Sequence, residues 1–280
     1  MTGSPQHVPV LMYHSVSSEA TDAFREFVVP PRLFAEHLAA LHSLGYSTTT
    51  ITALAQMRAQ GTPLPERLVA ITVDDAFADF ADAALPALAS HGMVATLYVP
   101  TGYVGGRSAW LADEAEDHRS LLSWSQLREI SGHGVECGAH SHSHPQMDLL
   151  DRRAMTREIG LSKALLEDHL GRAVTSFAYP FGYANATVRR LVEQLGFSNA
   201  CAVRDLVSTP ADDAYAIPRL TVTQDVMAAD LASMLQSART ARQELTSSAR
   251  AVASRGLRRA GLKKRGTHPS RHDWWAPTSA

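Results

Sequence analysis

Two adjacent carboxylates end the segment Ile71-Thr72-Val73-Asp74-Asp75-Ala76, and His140, His142 and His144 crowd into five residues further along. Carboxylates side by side repel each other unless positive charge joins them, and a divalent cation is a natural partner. Consecutive side chains also point in different directions, so one can hold an ion while the other faces a substrate. Capping of a helix starting near Phe77 is the plainer use of either aspartate. Imidazoles at i and i+4 converge on one metal if the chain turns after a strand, with His142 pointing elsewhere. A solvated polar loop is the plainer use of these histidines. Taken together, two histidines and one carboxylate with open positions suit hydrolysis by an activated water. A third segment, Phe177-Ala178-Tyr179-Pro180-Phe181-Gly182, turns tightly at its Pro and Gly, and its aromatics either wall a sugar pocket or join a core.

Each segment follows a predicted strand, where the loops of α/β architectures carry chemistry. Strands are expected at Val8–Val16, Leu68–Val73, Val94–Val99, Val135–Ala139, Ser176–Tyr179, Asn199–Val203 and Ile217–Val222. Helices are expected at Pro31–Leu44, Thr50–Gln60, Phe77–Ser90, Ser123–Ser131, Asp151–Leu170 and Asn185–Leu195. Pro31 suits a first turn, and Leu33, Phe34, Leu38, Leu41 and Leu44 recur at helical spacing. Ser123 with Gln126 three residues on is a capping-box pattern. Gly102–Leu121 reads as a long loop with a short helical piece. Alternating strands and helices predict parallel βα units, and about seven of them favour a barrel over an open sheet.

The chain has 280 residues, 45% hydrophobic and 19% charged, enough for one large domain with an appendage. Its net charge of -2 conceals an acidic body, −9 over residues 1–240, and a basic tail, +7 over residues 241–280. An acidic body argues against nucleic acid as a partner. Cys137 and Cys201 lie in short apolar stretches and read as buried free thiols. With no basic n-region before the first apolar run and no stretch of membrane-spanning length, the expected location is cytoplasmic.

The order and spacing of the three segments resemble the NodB-homology polysaccharide deacetylases, carbohydrate esterase family four. Thr72-Val73-Asp74-Asp75-Ala76 matches that family's Thr-Phe-Asp-Asp-Gly motif, and His140-Ser141-His142-Ser143-His144 its His-[Ser/Thr]-x-x-His motif. Phe177–Gly182 matches a variant of its third motif. Pro9-Val10-Leu11-Met12-Tyr13-His14 is similar to the N-terminus of one branch. The resemblance covers roughly residues 8–225. It implies an α/β fold, a distorted (β/α)7 barrel, here with a C-terminal helical, basic tail, so that residues 1–230 form the catalytic barrel and 231–280 the appendage. It implies an N-deacetylase of an N-acetylated amino sugar in a polysaccharide, glycolipid or glycoside. Asp75, His140 and His144 would hold the metal, usually zinc, with Co2+, Ni2+ or Mn2+ as alternatives. Asp74 would be the base, and Tyr179, Phe181 and Gly182 would face substrate and oxyanion.

Departures from the family pattern carry their own expectations. Ala76 stands where the motif has glycine, and Ala178 where other branches carry an arginine that braces the base. No histidine lies between His169 and His268, so the usual C-terminal Leu-x-His motif is missing. His14, following the first strand, is the expected general acid, with a structural hydrogen-bonding role as the alternative. Arg219 is the expected replacement brace, with a surface ion pair as its alternative. Two other functions fit the residue types: a metal-dependent amidohydrolase of a non-sugar amide, and a non-catalytic carbohydrate-binding barrel. The basic cluster from Arg255 to Arg265 suggests loose attachment to an anionic membrane surface, or a plain solvated tail. The sequence does not indicate an oligomeric state.

Overall fold

The structure, a computed structural model, describes residues 7–237. Eight strands form one parallel sheet: β1 (Val10–Tyr13), β2 (Ser47–Thr49), β3 (Leu68–Val73), β4 (Thr96–Val99), β5 (Glu136–Ala139), β6 (Ser176–Ala178), β7 (Asn199–Cys201) and β8 (Leu220–Thr221). The order is β7-β6-β5-β4-β3-β1-β8, with β2 paired to β3 off this path. β2 flanks the first half of β3, from Leu68 to Ala70, and β4 the last half, at Thr72 and Val73. Between the two ends of the curled sheet, a bridge from Cys201 to Ile217 links the β7 end to the segment leading into β8. This is the α/β half-barrel of a distorted (β/α)7 fold.

Helices α1 (Pro31–Ser43), α2 (Ile51–Ala59), α3 (Leu85–Ser90), α4 (Trp124–Gly132), α5 (Arg152–Leu170), α6 (Ala186–Gln194) and α7 (Ala228–Ser237) accompany the strands. β3 is buried at all six positions, as a parallel strand covered on both faces must be, which explains its unbroken apolar run. α4 starts with the expected capping box at Ser123 and Gln126. The Asp151 and Asn185 side chains cap α5 and α6 by accepting from first-turn amides, without a reciprocal box. Both cysteines are free and buried.

Several expected elements come out differently. The helix expected over Phe77–Ser90 is α-helical only from Leu85, after a wider π-type turn at Phe80–Ala84. Pro86 has no N–H for the regular ladder, so it fits a first turn and not a helix interior. The last strand shortens from Ile217–Val222 to Leu220–Thr221, because Pro218 cannot donate to a ladder. The first shrinks to Val10–Tyr13, since the chain leaves the sheet after Tyr13 and Ser15 bridges to Val28. β2 was not expected, because Ser47, Thr48 and Thr49 show no apolar signal. α7 begins at Ala228, before the expected boundary at 230, and buries Leu231 and Leu235 in the main core. The expectations for the basic cluster from Arg255 to Arg265 lie outside the described residues. Among the described residues, no helix is long and apolar enough to cross a membrane.

Tyr98 on β4 ties the barrel interior to the strand ends. Its hydroxyl lies 2.7 Å from Ser176 Oγ and donates to Cys201 Sγ at 3.3 Å. Its ring supports the Arg219 guanidinium at 5.6 Å and lies 6.3 Å from the His140 ring. Gly138 makes room for that ring, because a Cβ there would meet Tyr98 Cε1 at 2.5 Å and Ser176 O at 3.0 Å. Gly138→Ala should therefore lower stability by about 1–3 kcal/mol through overpacking. Denaturant unfolding of the variant checks this, and an unchanged midpoint would contradict it.

Candidate active site

Four strand ends and the segment leading into β8 deliver the polar residues to one site. β3 ends at Val73 and releases Asp74 and Asp75. The β1–β3 register, Tyr13 against Val73, places His14 beside Asp74 one step further on. β5 ends at Ala139 and releases His140, while β6 leads into the turn Pro180–Gly182. Arg219, immediately before β8, enters from within the barrel.

The two aspartates have different partners. Arg219 is fully buried and grips Asp74 with both arms, Nη1 to Oδ1 at 2.6 Å and Nη2 to Oδ2 at 2.8 Å. Its Nη1 also donates to Thr72 Oγ1 and its Nε to the Ala202 carbonyl, so the fork is fixed. A surface ion pair is thereby excluded for Arg219. Burial alone would raise the pKa of Asp74, but the guanidinium and His140 outweigh it and hold the carboxyl below the ordinary range. Asp75 is equally buried, and neither of its oxygens has a hydrogen-bond partner among the described residues. What faces it are two imidazoles: its Oδ1 lies 3.2 Å from His144 Nε2 and 3.5 Å from His140 Nε2. Against the effect of burial, the two imidazoles and His14 keep the Asp75 carboxyl low.

The histidine loop is shaped to make this convergence. His140 Nδ1 lies 2.8 Å from the Ala178 carbonyl, which fixes Nδ1 as the protonated nitrogen and leaves the Nε2 lone pair toward Asp75. Burial pushes the His140 pKa down to about 4, so the ring is neutral near pH 7. Ser141 and His144 both have positive φ, and Ser141 Oγ accepts from the His144 amide at 3.0 Å. Glu158, from α5, accepts from the amides of His142 and Ser143 and from Ser143 Oγ, at 2.7–2.9 Å. His142 turns away as expected, with Nδ1 3.0 Å from Thr101 Oγ1. Asp75, His140 and His144 offer ligand atoms all within 4.8 Å of one another. Two imidazole Nε2 atoms around a buried carboxylate fit a divalent cation by donor type and number.

His14 is buried, its ring edge-to-face with Phe27 at 5.2 Å. Burial lowers its pKa, while the nearby charges of Asp74 and Asp75 oppose that shift. The loop carrying it is clamped: Ser15 Oγ donates to Asp79 at 2.5 Å, Arg119 donates to Ser15 Oγ at 3.1 Å, and Arg119 in turn pairs with Glu116 at 2.6 Å.

The third segment divides. Phe181 adopts a left-handed conformation, and its ring meets His144 edge-to-face at 4.8 Å. Gly182 is also left-handed, and a Cβ there would strike Val203 at 2.5 Å; its N–H is spent on the Tyr179 carbonyl. Tyr179 does not wall a pocket. Its ring joins the core and its hydroxyl donates to Tyr215 O at 2.9 Å. Trp110, in the segment expected to be a loop, lies 4.9 Å from the His144 ring. Trp110, His144, Pro145, Gln146, Leu149, Leu150 and Phe181 line a cavity of ≈ 350 Å³. Nothing in the spacing marks Trp110. Glu158 did carry a signal: it shares the buried stripe Met155, Ile159, Ser162, Leu166, where a charge needs a reason.

Of these contacts, the Arg219–Asp74 pair has the largest consequence for folding. Arg219→Met should cost about 3–5 kcal/mol, since it strands a buried carboxylate. Adding Asp74→Asn should recover much of that loss. A double-mutant cycle measured by denaturant unfolding checks both, and additive losses would contradict the pairing.

A family profile described as polysaccharide deacetylase matches residues 61–200, half of the chain. The Bacillus subtilis protein YxkH is 26% identical over 236 residues, 84% of this chain and 78% of that one. Poly-beta-1,6-N-acetyl-D-glucosamine N-deacetylase of Escherichia coli is 29% identical over 140 residues, 48% of this chain but 20% of that protein's length. The structure of IcaB from Ammonifex degensii superposes with a TM-score of 0.73 at 26% identity, covering 83% of this chain and 98% of that one. The chain belongs to the polysaccharide deacetylase family, whose reaction is hydrolytic removal of N-acetyl groups from carbohydrate.

Proposed function

We propose that the protein is a divalent-metal-dependent hydrolase that removes N-acetyl groups from an N-acetylated amino sugar, with Asp75, His140 and His144 as metal ligands and Asp74 as general base. The observation that carries this reading is the unequal pairing of the aspartates. Asp74 is locked by Arg219, while the buried oxygens of Asp75 meet only imidazole nitrogens. A cation bound there, zinc by the donor set with Co2+, Ni2+ or Mn2+ as alternatives, supplies Lewis acidity toward water and the acetamide carbonyl.

The chain's own groups do the rest. Asp74 accepts the proton of the attacking water, and Arg219 holds its carboxylate in one plane while it does so. A carboxylate held below its ordinary pKa is a weak base toward bulk water, which is the physical reason this reading needs a cation beside it. The left-handed turn at Phe181, whose ring meets His144, would offer backbone N–H to the carbonyl oxygen as it gains charge. His14, on the same rim, protonates the departing amine, so that the C–N bond breaks to release acetate and a free amino sugar. The relatives named for poly-β-1,6-N-acetyl-D-glucosamine make that polymer the first substrate to try.

Acetate release from β-1,6-linked N-acetylglucosamine oligomers tests the reading. A chelator should abolish turnover and zinc restore it. Asp74→Asn should keep the metal and lose about 10²–10⁴-fold in kcat. Activity that survives metal stripping, or a variant that loses its metal, would overturn the assignment of roles.

The donor role of His14 has its own test. The donor is the protonated ring, so the rate should fall as pH rises through the His14 pKa, which burial places below the ordinary histidine value. His14→Ala should keep fold and metal, lose most turnover and lose that alkaline limb. A variant with near-wild-type kcat and the same limb would exclude His14.

A further inference from the structure

One polar group at the rim is used by none of this chemistry. Gln146 follows His144-Pro145 and opens the turn Met147–Leu149, where its carbonyl accepts from the Leu149 amide at 3.1 Å. The residue is 7% exposed and lines the ≈ 350 Å³ cavity beside His144. Neither Oε1 nor Nε2 has a hydrogen-bond partner among the described residues. A buried polar group left unsatisfied costs about 1–3 kcal/mol. Apart from His144 and the Trp110 indole N–H, which also has no partner among the described residues, the other walls (Trp110, Pro145, Leu149, Leu150 and Phe181) are apolar or aromatic, so leucine or methionine would pack at position 146 without that penalty.

The chemistry of the pocket indicates what would satisfy the carboxamide. An amide offers an acceptor oxygen and a donor nitrogen a short distance apart, complementary to a hydroxyl that both donates and accepts. Aromatic walls with few polar groups suit a ligand that carries apolar C–H faces and hydroxyl edges, as a pyranose does. The cavity is larger than an acetyl methyl requires and is of the size of one sugar ring. It shares His144 with the ligand set, so a ring held here keeps a neighbouring acetamide within reach of Asp75 and Asp74.

We propose that Gln146 is a specificity-determining residue: its carboxamide reads a hydroxyl of the sugar ring that carries the scissile acetamide. The enzyme therefore prefers a hydroxylated N-acetyl sugar to other acetyl compounds. The inference rests on the deacetylase reading above. A site built to hydrogen-bond a hydroxyl discriminates against a ligand without one more sharply than an apolar pocket does, because its own polar group is then stranded.

The test compares two acetyl donors on the metal-loaded enzyme: a β-1,6-linked N-acetylglucosamine tetramer, and 4-nitrophenyl acetate, which has no hydroxyl. Gln146→Leu should lower the ratio of kcat/KM for the tetramer to that for the aryl ester by about 10- to 100-fold, the loss of one buried hydrogen bond. Gln146→Asn, which keeps the amide but withdraws it by one methylene, should fall between wild type and leucine, and Gln146→Met replaces leucine if that variant does not fold. The thermal midpoint of Gln146→Leu should not fall, since an unsatisfied amide is removed. Equal losses on both substrates, or an unchanged ratio with the wild type active on the tetramer, would overturn this inference and leave the deacetylase reading standing. A wild type that cleaves the ester and is inert on N-acetylated oligosaccharides would overturn that reading, and this inference with it.

Discussion

Two carboxylates on consecutive residues, both fully buried, can stay ionised together only if positive charge reaches each of them. The fork of Arg219 meets that demand for Asp74 with two short hydrogen bonds, and in doing so makes the two aspartates unequal. One is a carboxylate fixed by the guanidinium. The other, Asp75, is left with imidazole nitrogens and no donor of its own. A structure in which Arg219 lay elsewhere would have no reason to keep the roles apart. Much of the interior serves this pair: Tyr98 supports the guanidinium, Gly138 makes space for Tyr98, and Thr72 and the Ala202 carbonyl hold the fork in plane.

Backbone strain is gathered at the same rim. Seven described residues other than glycine have positive φ, and Asp75, Ala76, Ser141, His144 and Phe181 are five of them. Each such residue costs on the order of 1–3 kcal/mol and persists only where its surroundings fix it. Glu158 provides that fixation for the histidine loop by accepting three hydrogen bonds. The Asp79–Ser15–Arg119–Glu116 chain does the same for the loop that carries His14. Ala76, where the family motif has glycine, keeps the left-handed turn at φ 51 while its methyl packs in the core.

The sequence made the strand ends legible because a parallel strand buried on both faces writes an unbroken apolar run, as at Leu68–Val73, and the first polar residues after it are the ones on the rim. Asp74, Asp75, His140 and His144 were therefore visible as a set. Arg219 was harder: a lone arginine after Ile217-Pro218 reads equally as a surface charge, and only the fold reveals that it comes from beneath the site. Tyr179 misled because an aromatic beside a turn has the same appearance whether it faces the core or the pocket, and its hydroxyl found Tyr215 inside. Trp110 lies in a short 3-10 helix and Gln146 at the start of a single 3-10 turn, elements too short for periodicity to report which way a side chain faces. β2 escaped because its stability comes from pairing with β3 and not from apolar residues of its own.

The division of labour between the aspartates is most directly tested by anomalous diffraction from a zinc-soaked crystal of the wild-type protein. The account predicts one peak at about 2.0–2.2 Å from an Asp75 oxygen and from the Nε2 atoms of His140 and His144. It further predicts that Asp74 stays on Arg219, outside the coordination sphere. A peak bridging both aspartates with Arg219 displaced, or zinc bound only elsewhere, would contradict it.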